Sequence, residues 1–437
     1  VAKIPQAPGI RVRWVVACEL AGLATLAWGR CVQTTDPYWA GALSNIGTTL
    51  LLVGVLIFFE RRIVDLTARA LSVRDSSPDR KAVAQAETLV RILASSRRPT
   101  AAIHRTTTRA SNVDVPVLPL DKPEWLGPLD PSLDFPFKMT STDKEKLAYD
   151  AAVILRRESM GVRLWDGSLL YSKNDGPLGG ELRVGVCNYF AYVSLADKVF
   201  DESKSRWGEK TLLDILASPE RGLSGDDARI RPITIAGSAT CVFETTEGRM
   251  VAMQRRSHRV VSARGFHAVT PVFGMEPNVA GGRRSAYGIL AYNFMKEFLE
   301  ELFDQEDAQR AGDKPRVDDV DAIFQSEHGR RLSTELGAHS LQLSCTGVAV
   351  DPADGSLDFM ILAHFRDPAF FAHVRSGAVG SWESESGDGR SRITFRPLFS
   401  DEVDQLMGRD QMVATSIYSL DLARQAMRDL DKSAGTH

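Results

Sequence analysis

The sequence predicts an α+β chain behind a membrane-inserted start, and three stretches carry that prediction. ITIAGSATCVF and MVAMQ flank the turn TTEGR, the pattern of a β-hairpin in a mixed sheet. YNFMKEFLEELFDQED, residues 292–307, repeats its apolar residues at the helical period. Residues 39–59 form a continuous, uncharged and mostly apolar run. The remaining strand-like segments surround the one strong helix without a βαβ series, so the fold is α+β rather than doubly wound.

The chain starts with two apolar runs. Residues 39–59 at ~1.5 Å per residue reach roughly 30 Å, the hydrocarbon thickness of a bilayer. Trp39 at one end, and Phe59 followed by Glu60, Arg61 and Arg62 at the other, suit the two interfaces. The earlier run, residues 14–31, is shorter and carries Glu19, so it competes with a signal-peptide reading. With Asp36-Pro37 between them, the runs predict a transmembrane helical hairpin over residues 1–62. Lys3, Arg11 and Arg13 precede the hairpin and Arg61, Arg62 and Arg69 follow it, which predicts two spans in the inner (plasma) membrane with both termini cytoplasmic. Glu19 and Asn45 are candidates for polar contacts between helices or protomers, and a homo-oligomer through the hairpin is the matching expectation.

Residues 63–124 read as a juxtamembrane helix followed by a flexible linker rich in Ser, Thr, Arg and Pro. Residues 125–437 have the composition of a packed domain. Its expected elements are a helix near residues 143–158, strands and hairpins in GVRLWDG, SLLYSKNDGPLGG and ELRVGVCNYFAYV, further runs FHAVTPVFGMEP, SLQLSCTGVAVDP and LDFMILAHF, the last a strand, and a closing helix over 410–431. A net charge of −3 gives no support for DNA or RNA as partner. The cysteines Cys18, Cys31, Cys187, Cys241 and Cys345 lack ligand spacing, which argues against structural zinc. His258, His267, His328, His339, His364 and His373 lack the i, i+4 spacing of a helical metal pair, and no G-x-S-x-G elbow is present.

The helix of residues 292–307 holds the candidate chemistry. On a helical wheel Ala291, Phe294, Met295 and Leu302 gather around Phe298 as a core-facing stripe. Glu297, Glu300, Glu301 and Asp304 cluster on one flank, where they repel one another. Two readings follow: a solvated acidic face, or a site for a hard divalent cation such as Mg²⁺ or Mn²⁺.

The order of hairpin, QRRS, a Gly-containing loop and then Lys296-Glu297-Phe298-Leu299-Glu300-Glu301-Leu302 resembles the Nudix family, whose box reads Arg-Glu-apolar-x-Glu-Glu-x-Gly on a loop–helix–loop. The resemblance implies a mixed sheet flanked by helices, an α/β/α sandwich, with an N-terminal β extension. It implies Glu297, Glu300 and Glu301 as catalytic carboxylates holding Mg²⁺ (or Mn²⁺) against a pyrophosphate, with Arg255, Arg256, Gly274 and Lys296 on the substrate. The box departs from the family's at three places: Lys296 stands for Arg, Phe303 for the helix-ending Gly, and Asp304 for an apolar residue. Two registers compete upstream, one opening at Gly282 with Gly288 at the position of the family's first Glu, the other opening at Gly274 in FGMEP with AGGRRSAY as an insertion. The second is favoured. Glu276 and Glu383 are the loop carboxylates to test as general base.

Two functions follow from the resemblance. One is a membrane-tethered Nudix-type hydrolase that cleaves the pyrophosphate of a nucleoside diphosphate derivative with Mg²⁺. The other is an eroded Nudix domain that senses a nucleotide and signals through the hairpin in the lipid bilayer, similar to effectors of bacterial anti-phage signalling. A third reading makes the carboxylates inert and the domain a protein-binding module.

Overall fold

The computed structural model describes residues 104–434 except 109–111, 148, 161, 163, 165–166, 174–179, 203–232, 258–259, 261–264, 281, 306–319, 354, 381–392 and 409–410. The chain divides into two units, Val1–Ser76 and Ser77–His437, and the described residues all belong to the second. Both predicted spans lie outside the described residues, among which no helix is long and apolar enough to cross a membrane. The expectation of a two-span inner-membrane protein is corrected accordingly: membrane placement, and oligomerisation through a hairpin, are not carried further.

The strands in chain order are β1 (His104–Thr107), β2 (Asn112–Val115), β3 (Leu118–Pro119), β4 (Gly127–Pro128), β5 (Phe137–Glu145), β6 (Ser168–Ser172), β7 (Leu182–Asn188), β8 (Ile235–Thr245) and β9 (Gly248–Arg255). They continue with β10 (His267–Val269), β11 (Val272–Gly274), β12 (Val279–Ala280), β13 (Arg283–Arg284), β14 (Leu341–Asp351), β15 (Ser356–Phe365) and β16 (Ile393–Pro397). The helices are α1 (Ala151–Ser159), α2 (Tyr189–Glu202), α3 (Ile289–Phe303), α4 (Glu327–Gly337), α5 (Pro368–Gly377), α6 (Asp401–Leu406) and α7 (Ala414–Ala434). The architecture is mixed α+β, as the sequence predicts.

One nine-stranded sheet dominates, in the order β10-β9-β8-β15-β14-β3, with β11 on β8, β16 on β9 and β4 on β14. Only β15 and β8 run parallel in it. Its alternation is plain in the two central strands. Ala239, Cys241, Phe243, Phe359, Ile361, Ala363 and Phe365 join one core with Phe294, Phe298 and Leu302 of α3. Val242, Met360 and Leu362 join another with Ile417, Leu420 and Met427 of α7. Period-2 strands thus place helices on both faces, and each helix buries one stripe. A second, three-stranded sheet in the order β5-β7-β6 carries α1 and α2 nearby in sequence.

One local expectation holds and three change. The hairpin β8–β9 forms as predicted, turning at Gly248 with φ of 110°. The predicted flexible linker, however, contributes β1, β2 and β3, because Val113, Val115, Val117 and Leu118 are buried. His104 fastens this segment to α7, its Nε2 2.9 Å from the Asp421 carboxylate. The helix expected over 143–158 begins later: residues 137–145 are strand β5, and Asp150 caps α1 by accepting from the Ala152 N–H. The run ELRVGVCNYFAYV is strand only to Asn188 and then becomes α2.

The start of α3 is assembled from distant chain. Gly288 at its N-cap offers no side-chain acceptor, and Asp134 supplies one, its Oδ1 accepting from the Ile289 N–H at 3.0 Å. A Cβ on Gly288 would lie 1.8 Å from the Leu133 carbonyl oxygen, so glycine is what admits the residue 131–134 loop. The helix ends with Asp304 in the left-handed region at φ of 52°, the conformation that ordinarily calls for glycine.

Candidate functional site

The site sits where β8 and β9 part. Their pairing runs from Thr245 opposite Gly248 to Val242 opposite Val251 and then stops. Beyond that point β10 pairs with β9 and β11 with β8, so residues 270–271 enter the fork. Backbone groups at such a fork lose their ladder partners and must find others. Glu301, only 3% exposed, fills this place. Its carboxylate accepts from Gln254 Nε2 at 2.7 Å, from Thr270 Oγ1 at 2.7 Å and from the Val272 N–H at 3.1 Å.

One turn back along α3, Lys296 reaches three carboxylates. Its Nζ lies 3.1 Å from Glu300, 3.3 Å from Glu297 and 3.4 Å from Glu276. All sit in a restricted setting, with side-chain exposures of 14% for Lys296 and 15% for both Glu297 and Glu300. Glu276 is brought in by Asn293, whose Oδ1 accepts from the Glu276 N–H at 2.7 Å while its Nδ2 donates to the Glu276 carbonyl at 2.9 Å. The register that opens at Gly274 is therefore the one whose glutamate meets the helix, and the insertion 280–287 holds all but the first residue of the small hairpin β12–β13. Gly274 itself lies at the end of β11 opposite Ala236.

Burial opposes the Lys296 charge, but Glu276, Glu300 and Glu297 outweigh it and hold its pKa well above the usual lysine value. Burial pushes Glu297 well above the ordinary carboxyl range, and Glu300, Glu276 and Glu301 push it the same way against Lys296. Glu297 is thus the carboxyl that favours its neutral form.

These contacts overturn the expectation of a metal-binding helix flank. The flank is not uncompensated, because Lys296 lies among its carboxylates, and Glu301 is turned inward onto three donors. Among the described residues no group of three or more His, Cys, Asp or Glu side chains is disposed to hold a metal ion. Asp304 stands at the C-cap of the helix, its backbone N–H donating to the Glu300 carbonyl.

The two arginines predicted to meet substrate separate across the sheet. Arg255 shares a face of β9 with Val251 and Met253, opposite His267, and its Nε donates to the Gly265 carbonyl at 3.1 Å. Burial, with Arg255 and Arg396 nearby, lowers His267 to about 4. Arg256 takes the other face, with Gln254. Of the two loop carboxylates, Glu276 joins the site and Glu383 lies outside the described residues. His328 and His373, unrelated by spacing, meet across α4 and α5 with ring nitrogens 2.9 Å apart. Gln254, Thr270 and Asn293 join the site without a sequence signal of their own, since each is an uncharged residue whose partners lie far along the chain. No family model matches this chain, and no curated protein is significantly similar to it.

Proposed function

We propose that residues 125–437 are a Nudix-like domain that binds a nucleoside diphosphate derivative without cleaving it. The observation that carries this reading is the commitment of every box carboxylate to the chain itself. Glu276, Glu297 and Glu300 surround Lys296, and Glu301 accepts from Gln254, Thr270 and Val272. Hydrolysis in the family pattern needs carboxylates turned toward a cation that activates water. Here an ammonium sits among three of them and the fourth is part of the core. Further support comes from the order of elements: hairpin β8–β9, the Gly274–Glu276 loop and α3 follow one another as the resemblance implies.

The test is calorimetry of the full chain with ADP-ribose and with nucleoside di- and triphosphates in the presence of Mg²⁺, and chromatography of the same mixtures. Saturable binding of at least one of these with the ligand recovered intact is the expected result. Release of a nucleoside monophosphate at catalytic turnover, or binding of none of them, overturns the reading.

A further inference from the structure

Buried polar atoms in folded proteins almost always have partners, so each one that lacks a partner calls for an explanation, and a bound group is one such explanation. Gln254 of β9 and Arg256, the residue that follows the strand, share this property. Gln254 is 1% exposed, and its Nε2 is spent on Glu301, yet its Oε1 has no hydrogen-bond partner among the described residues. Arg256 has both Nε and Nη1 buried without an acceptor among the described residues. Alternation carried one residue past the strand sets the two side chains on the same face, where Gln254 meets Glu301 of α3. The Arg256 backbone is fixed there, its N–H donating to the Phe266 carbonyl at 2.8 Å and its carbonyl accepting from the Gly265 N–H at 2.9 Å.

The chemistry of the missing partner follows from the atoms. A guanidinium is planar, and its Nε–H and Nη1–H bonds leave on different edges, so one acceptor atom cannot serve both. A group with several anionic oxygens can, and phosphate and pyrophosphate are the common groups of that kind. Gln254 Oε1 asks for the opposite, a hydroxyl or amino donor. We propose that Arg256 and Gln254 together form the recognition point for a phosphate-bearing ligand with a donor beside the phosphate, and that Arg255 has no part in it. The inference rests on the nucleotide-binding reading above and names the two side chains that hold the ligand.

Arg255 and Arg256 are adjacent and equally charged, which makes a clean comparison. The full chain and its Arg256→Ala, Arg256→Lys and Arg255→Ala variants are titrated with inorganic pyrophosphate and with ADP by calorimetry, after thermal melts show that each is folded. Arg256→Ala is expected to weaken both ligands about tenfold or more. Arg256→Lys keeps the charge but loses the planar donors, and recovers only part of the affinity. Arg255→Ala stays within about twofold of the parent, a difference too small for the loss of a charge-assisted contact. ADP is expected to bind more tightly than pyrophosphate because it brings donors. Equal losses in Arg255→Ala and Arg256→Ala, no loss in Arg256→Ala, or no pyrophosphate binding by the parent chain overturns the inference. Nucleotide binding that survives Arg256→Ala sinks this site alone, whereas ADP cleavage sinks the non-hydrolytic reading and leaves the site standing.

Discussion

Glu301→Ala is expected to destabilise the chain by about 3–5 kcal/mol, because it removes one acceptor from three buried donors at once. Gln254 Nε2, Thr270 Oγ1 and the Val272 N–H all end on this carboxylate, at 2.7, 2.7 and 3.1 Å. Water does not replace it easily, since the side chain is 3% exposed. Glu301→Gln is milder but still costs about 2–3 kcal/mol, because its amide turns a donor toward donors. Urea unfolding followed by tryptophan fluorescence measures both. A solvated acidic face makes the opposite forecast: removing one of several clustered charges there is neutral or stabilising.

Lys296→Met is the second large effect, and its size depends on pH. Breaking a buried ion pair by deleting one partner costs about 3–5 kcal/mol, and the exposures near 15% put Lys296 close to that case. The deficit is expected to be largest near pH 8 and to shrink toward pH 5. Without the ammonium, Glu276, Glu297 and Glu300 repel one another in a partly desolvated place, and the Glu297 carboxyl, already held well above the ordinary range in the parent, loses the one neighbour that lowers it. A group whose folded pKa is raised contributes stability below its unfolded value and loses it as pH climbs through the folded one. The variant therefore weakens with rising pH across the range above the ordinary glutamate value of ~4.3. Lysine titration adds nothing to this slope, because Lys296 is held above its usual value and stays charged throughout. Urea melts of both proteins at pH 5, 6.5 and 8 give the comparison. Lys296→Arg, which keeps the charge, is expected to fall within about 1 kcal/mol of the parent.

The sequence was most informative where period and burial agree. The β8–β9 hairpin, the strands β14 and β15, and the stripe around Phe298 are plain in the order of residues, since each buries the face its period presents. It was least informative where one residue's role depends on partners far along the chain. Glu301 reads as one of four acidic residues on a helix flank, and only the fork between β8 and β9 turns it inward. Lys296 reads as a substitute for arginine, and Glu276, twenty residues upstream, reveals its use. Arg255 and Arg256 looked like one basic pair until strand alternation divided them. The β1–β3 segment reads as linker in the sequence because Arg, Thr and Pro surround the buried valines at 113, 115 and 117.

The central claim is that the box carboxylates are committed to the chain and not to a cation. A Mn²⁺ titration of the full chain, by calorimetry and electron spin resonance, tests it without a guess about ligand. The account predicts no saturable site in the parent protein. A single saturable Mn²⁺ site that disappears in Glu297→Gln would contradict it, and would show that Lys296 yields its place when a divalent ion arrives.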